Sequence, residues 1–271
     1  MSLIQPVMQK TPSSEHSTPS VSPKPSRASI WAVIPASGIG SRMQSDIPKQ
    51  YLTLNGLTVM EQTLNKIDAV DEVVGIILVV NKEDKHYQTL DLSKYKHIHI
   101  VEGGATRADS VLQGLLFVKR YLTQQADVDT SQINIENTWA LVHDCARPCV
   151  EVAFMHTLIN TCLAENTGGI LAEKVADTVK ESTTESTRFP HVISTKDRSA
   201  LWLAQTPQFF KLTLLINAIT QSVKQGLILT DEASAIEQQG GDVLLISSPK
   251  SNIKITQPSD LTLAQAILAT Q

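Results

Sequence analysis

The feature that most restricts the fold of this chain is a series of short apolar runs, each stopping at glycine, proline or polar residues and followed by residues of helical period. Ile30-Trp-Ala-Val-Ile34 runs into Pro-Ala-Ser-Gly-Ile-Gly40 and reads as a buried strand entering a glycine loop. Glu72 to Val80 is too short and too β-branched for a helix, so it reads as a second buried strand. His97 to Val101 alternates into Gly103-Gly104, and Trp139 to Val142 forms a third central strand ending in His143-Asp144. Gly169 to Ala172 and Val243 to Ile246 return to strand. Between them, Met60 to Ile67, Ala105 to Tyr121, Val152 to Leu163 and Leu212 to Val223 carry helical patterns, and a closing helix begins near Pro258. Thr123 to Asn137 is polar and reads as a loop, and Asp177 to Lys196 reads as an exposed hairpin or arm.

Strands alternating with helices predict an α/β fold: a Rossmann-like, mostly parallel sheet with helices on both faces. Such sheets bind ligands outside the carboxyl ends of their strands. That rule directs attention to Pro35 to Lys49, Gly103 to Ser110 and His143 to Pro148.

Charge and composition narrow the chemistry. The net charge of −4 provides no global positive field for nucleic acid or an anionic membrane, so bound anions must be held by local cations. No apolar stretch approaches the roughly 20 residues that span a bilayer. Residues 1 to about 28, rich in Ser, Thr and Pro, lack the apolar core of a signal peptide and predict a disordered tail before a single domain over 29–271. Cys145, Cys149 and Cys162 form no disulfide framework, which suits a reducing, cytoplasmic setting. Cys145 and Cys149 stand beside His143 but lack a second ligand pair for zinc, so they read as packed thiols.

The strongest local signal is Pro35-Ala-Ser-Gly-Ile-Gly-Ser-Arg-Met43 with Pro48-Lys-Gln-Tyr51. Glycines 38 and 40 allow successive backbone N–H groups to form a concave anion site. Arg42 adds a planar donor fork and Lys49 a mobile ammonium, together enough to neutralise a triphosphate. Pro48 predicts that Lys49 sits on an ordered loop rather than a helix. A dinucleotide fingerprint is excluded because Met43 occupies the third glycine position, and a P-loop because no Gly-Lys-Ser/Thr follows. A plain glycine turn with solvated Arg and Lys remains open from this segment alone.

Five segments occur in order: PASGIGSRM with PKQY, GGATRADSV, VHDCARP, LWLAQTPQFF, and TDEASA with NIKIT. From about Ile30 onward the chain closely resembles the 2-C-methyl-D-erythritol 4-phosphate cytidylyltransferases of the non-mevalonate isoprenoid pathway. The resemblance implies transfer of CMP from CTP to 2-C-methyl-D-erythritol 4-phosphate, with Mg2+ bound mainly through the CTP phosphates. It implies a nucleotide loop of Ala36, Ser37 and Gly38, with Arg42 and Lys49 stabilising charge on the α-phosphate. Gly104 and Ser110 match the cytosine-reading segment, although Ser110 also fits a plain first-turn helix residue, and Ala105 departs from the polar residue often found there.

Asp144, Arg147, Thr206 and Thr230 are implied to contact the acceptor, with Arg198 and Lys254 positioning it. Arg147 also fits a simple ion pair with a nearby carboxylate, and Cys145 departs from the family motif. His143 reads as a structural hydrogen-bonding residue, because an ionised phosphate nucleophile needs no base. The arm, about 177–200, is implied to interlock with that of a second subunit, so that Arg198 and Thr178 complete the partner's pocket in a homodimer. Two alternatives stay open: a cytidylyltransferase for ribitol phosphate, and a nucleotide-binding protein without turnover.

Overall fold

A computed structural model describes residues 28–38, 47–95, 97–128, 135–183 and 189–271. The expected tail up to Arg27, and Gly40, Arg42 and Met43 of the glycine loop, lie outside the described residues. In chain order come β1 (Ser29–Pro35), a small hairpin of β2 (Thr53–Leu54) and β3 (Leu57–Thr58), α1 (Val59–Asp68), β4 (Val73–Val80), β5 (Ile98–Glu102) and α2 (Arg107–Val128). They are followed by β6 (Thr138–Val142), α3 (Val152–Glu165), β7 (Gly169–Lys174), and the hairpin β8 (Val179–Ser182) and β9 (Val192–Lys196). The chain closes with β10 (Trp202–Lys211), α4 (Leu212–Lys224), α5 (Glu232–Gln238), β11 (Leu244–Ser247) and α6 (Pro258–Leu268).

Seven strands form one sheet in the order β11-β7-β10-β6-β1-β4-β5. Every pairing in it is parallel except those of β10, which runs antiparallel to both β6 and β7. Side chains alternate between the two sheet faces, and each face builds its own core. Ile30, Ala32 and Ile34 of β1 pack with Met60 and Leu64 of α1 and Leu158 of α3. Trp31 and Val33 point the other way, toward Val111, Leu115 and Val118 of α2 and Leu215 of α4. Each fully buried leucine contributes about 1.5–3 kcal/mol. Helix α2 lies close enough to the sheet that a Cβ on Gly114 would stand 2.7 Å from Val33 Cγ1, so only glycine permits this approach.

Two expectations need correction. Helix α2 continues to Val128, past the loop expected from Thr123: Leu122 is buried while Thr123, Gln124 and Gln125 are exposed, as on the polar face of an amphipathic helix. Ile135–Asn137 then forms a 3-10 turn. Lys49 begins another short 3-10 turn, Lys49–Tyr51, instead of lying on a loop. Pro48, with φ −59°, sits where a helical turn tolerates proline, at its very start. The sequence patterns also passed over β10 and α5. The predicted arm is present as the antiparallel β8–β9 hairpin, where Phe189, Val192 and Ile193 are all more than half exposed.

Candidate active site

Central strand β1 is flanked by β4 and β6, and loops from β1, β5 and β6 converge beyond their carboxyl ends. They enclose a cleft of about 410 Å³ lined by Ala36, Ser37 and Gly38 after β1, Gly104 after β5, and Lys49. Gln50, buried in the 3-10 turn, donates its side-chain amide to the carbonyls of Ala36 (2.8 Å) and Gly38 (3.2 Å). That turn therefore braces the loop as well as carrying Lys49. Ser110 is buried in the first turn of α2. Its hydroxyl contacts Ser37 Oγ at 2.7 Å, accepts from the Gly104 amide at 3.2 Å and lies 2.9 Å from the Thr106 carbonyl. It ties the two loops together. A Cβ on Gly104 would fall 2.3 Å from Asp109 Cβ, so the backbone can face the cleft only with glycine there.

A second cleft of about 240 Å³ lies beside the first and includes Arg147, Thr206 and Thr230. Both clefts share Arg107, Asp144 and Lys254, which form the wall between them. Asp144 Oδ2 contacts Lys254 Nζ at 2.8 Å and Arg147 Nε at 3.6 Å, while Oδ1 accepts from Arg107 at 3.0 Å. Burial alone would raise the Asp144 carboxyl, but Arg107 and Lys254 outweigh it and hold it well below the usual carboxylate range. Burial likewise works against the charge on Arg107, and Glu232 and Asp144 reverse it, so the guanidinium stays charged. Lys49 Nζ donates to the Ile255 carbonyl at 2.8 Å. Among the described residues, Lys49, Arg107, Arg147 and Lys254 oppose the lining carboxylates Asp144 and Asp231. The excess of positive charge suits two phosphorylated ligands placed side by side.

His143 is fully buried behind this wall. Nε2 lies 3.0 Å from the Arg147 carbonyl, which can only accept, so Nε2 carries the proton. Thr206 Oγ1 accepts from the Asp144 amide at 3.0 Å and donates to His143 Nδ1 at 3.1 Å. Burial pushes the imidazole down to about 4 from its ordinary 6.5. The unfolded chain therefore binds the extra proton first as pH falls. Stability should drop through the window from 6.5 to about 4, by roughly 3 kcal/mol in full. Urea unfolding at several pH values would measure this slope, and His143→Gln should flatten it within that window.

Other expected site residues lie elsewhere. Thr178 and Arg198 are on the exposed arm and line neither cleft, and Arg198 donates to the Ala176 carbonyl. Cys145, Cys149 and Cys162 are buried, and burial pushes the Cys145 thiol up to about 12, so it remains neutral at the cleft floor. Among the described residues, no group of three or more His, Cys, Asp or Glu could hold a metal ion. The sequence reading assigned no role to Arg107, Glu232, Gln50 or Asn252, although all four fall within the five recognised segments or beside their ends. Asn252 donates to Gln205 Oε1 (2.8 Å) and the Thr206 carbonyl (2.9 Å), and its own carbonyl accepts from Arg147 at 2.6 Å.

The family model described as IspD, 2-C-methyl-D-erythritol 4-phosphate cytidylyltransferase, matches residues 30–270. The chain belongs to that family. A 2-C-methyl-D-erythritol 4-phosphate cytidylyltransferase of Vibrio parahaemolyticus is 42% identical over 238 residues, covering 88% of this chain and 94% of the relative. A crystal structure of 4-diphosphocytidyl-2C-methyl-D-erythritol synthase superposes with a TM-score of 0.72 at 32% identity, over 89% of this chain and 99% of the other. The Francisella tularensis 2-C-methyl-D-erythritol 4-phosphate cytidylyltransferase gives 0.70 at 32% identity, over 89% and 100%. The cytidylyltransferase family thus extends over the whole sheet and both clefts.

Proposed function

We propose that this chain transfers CMP from CTP to 2-C-methyl-D-erythritol 4-phosphate, giving 4-diphosphocytidyl-2-C-methyl-D-erythritol and pyrophosphate for isoprenoid precursor synthesis. The observation that carries this reading is the pair of adjoining clefts whose common wall is Arg107, Asp144 and Lys254, in a chain of the cytidylyltransferase family. CTP lies in the larger cleft, with the Ala36 to Gly38 loop at its phosphates and the Gly104 backbone at the cytosine. The acceptor lies in the smaller cleft, with its phosphate against Lys254 and Arg147 and its hydroxyls toward Asp144, Thr206 and Thr230.

An acceptor phosphate oxygen attacks the α-phosphorus as the bond to the bridging oxygen breaks, and the electron pair leaves with pyrophosphate. The nucleophile is already an anion, so no general base is needed and buried, neutral His143 keeps its structural place. Lys49 and Arg42 stabilise the charge that builds on the α-phosphate, and Lys254 and Arg147 offset the repulsion between the two anions. A hard divalent cation would be held mainly through the CTP phosphate oxygens and water. Mg2+ bound to CTP supplies charge neutralisation and leaving-group stabilisation. In a homodimer, the exposed apolar arm packs on a second subunit and carries Arg198 and Thr178 to the partner's acceptor. No described helix is long and apolar enough to cross a membrane, and we place the reaction in the cytoplasm.

The deciding assay is pyrophosphate release by purified protein with CTP and Mg2+, run with 2-C-methyl-D-erythritol 4-phosphate and, in parallel, ribitol 5-phosphate. Release with the first acceptor alone is the expected result. Release with ribitol phosphate alone, or with neither, would overturn the reading.

A further inference from the structure

The feature left unused by the mechanism is a second carboxylate behind the wall. Glu232, on α5, is 2% exposed and touches neither cleft described above. It meets Arg107 in a fork: Arg107 Nη1 donates to Oε1 at 2.7 Å and Nη2 to Oε2 at 3.2 Å. The opposite edge of the same guanidinium, through Nε and Nη2, holds Asp144 Oδ1 at 3.0 Å. Arg107 is therefore pinned between two carboxylates separated by 88 positions in the chain, at the first residue of α2. The helix start is itself fixed. Thr106 donates both its amide and its hydroxyl to Asp109 Oδ2, at 3.1 and 2.9 Å, and accepts from the Asp109 amide at 3.1 Å.

This arrangement divides the work of Asp144 between its two oxygens. Oδ1 is occupied by Arg107, which leaves Oδ2 for Lys254 at 2.8 Å and Arg147 at 3.6 Å on the acceptor side. Rotation of the carboxylate would require Arg107 to move. Arg107 cannot move without abandoning the fork to Glu232, a buried anion that would then be uncompensated. Lysine could not substitute, because a point charge meets one carboxylate well and cannot bridge two in a plane.

Resting on the cytidylyl-transfer reading, we propose that Arg107, clamped by Glu232, is a positioning residue that orients Asp144 and Lys254 toward the acceptor. Glu232 thus governs acceptor recognition without touching either substrate. Glu232→Gln keeps the shape of the clamp but leaves an amide N–H facing Nη2, so the fork opens and the Asp144 orientation loosens. In the full-length enzyme, steady-state kinetics should show the acceptor KM raised on the order of 10-fold, with the CTP KM changed by less than about twofold. Glu232→Asp, which retains the charge one methylene further back, should recover part of the loss. It also carries the same test if Glu232→Gln does not fold. Arg107→Lys should resemble Glu232→Gln.

A clamp that is only a structural ion pair would lower Tm in these variants while leaving both KM values of the folded enzyme as in wild type; that result overturns the proposal. Equal rises in both KM values would overturn it too, since Arg107 would then serve both clefts alike. Wild-type protein in the same assay separates the two levels of inference: without wild-type turnover the transfer reading fails, whereas with turnover the variants judge the clamp alone.

Discussion

Lys49→Ala should lower kcat by a factor of about 10²–10³, with the fold retained. The ammonium is carried on a one-turn 3-10 helix whose next residue, Gln50, braces the loop through the Ala36 and Gly38 carbonyls. Its position is thus set by the same element that shapes the larger cleft. A charge placed in advance near a phosphorus that gains negative charge stabilises the transition state more than the ground state, so the loss falls on kcat more than on the KM for CTP. Removing the side chain also deprives the buried Ile255 carbonyl of its 2.8 Å donor. A stability loss of about 1 kcal/mol should accompany the kinetic effect. Single-turnover pyrophosphate release and a urea unfolding curve measure the two separately. A kcat within threefold of wild type would remove Lys49 from the mechanism.

Asp144→Asn is expected to be the most damaging single change to the wall. The wild-type carboxylate faces Arg107, Lys254 and Arg147, and all three would lose their shared anion. Breaking a buried charge cluster by removing one partner costs about 3–5 kcal/mol, because the remaining charges stay desolvated. The pH dependence has a definite sign. The Asp144 carboxyl is held below its unfolded value, so its contribution is complete above roughly pH 4 and is lost as pH falls further through the folded value. The Asn variant should lack this acid limb while retaining the one at higher pH that belongs to His143. Denaturant unfolding at matched pH values would resolve the two windows. An Asn variant as stable as wild type at pH 7 would mean that the three cations do not depend on the carboxylate.

The parts of the fold that the sequence displays are those where one physical signal dominates. The strands β1, β4 and β6 are nearly uninterrupted apolar runs because both sheet faces cover them. Strand β10 was hidden by its own middle. Gln205, Thr206 and Pro207 interrupt the apolar pattern, and the pairing with β7 is irregular between Ala204 and Gln208. There the strand turns its polar residues toward the site: Gln205, Thr206 and Gln208 are all buried, and all three line the smaller cleft. Helix α5, seven residues long, is too short to show a period.

The site divides in the same way. The loop at Ala36 to Gly38 and the ends at Gly104 and Asp144 announce themselves through glycine and strand-end position. Arg107 does not, since its meaning lies in partners 37 and 125 residues away. Nothing local in GGATRADSV distinguishes an arginine that is solvated from one buried between two carboxylates. The family resemblance supplied the segment, and only the fold supplied the role.

The segment from Asn252 to Thr256, between β11 and α6, crosses back to the loops after β1 and β6, where Ile255 donates to the Ala146 carbonyl at 2.8 Å and accepts from Lys49. Lys254 reaches the wall between the clefts only through this segment, 110 positions beyond Asp144 in the chain. Assembly of the pocket waits on contacts between remote parts of the polypeptide, which are slow to form.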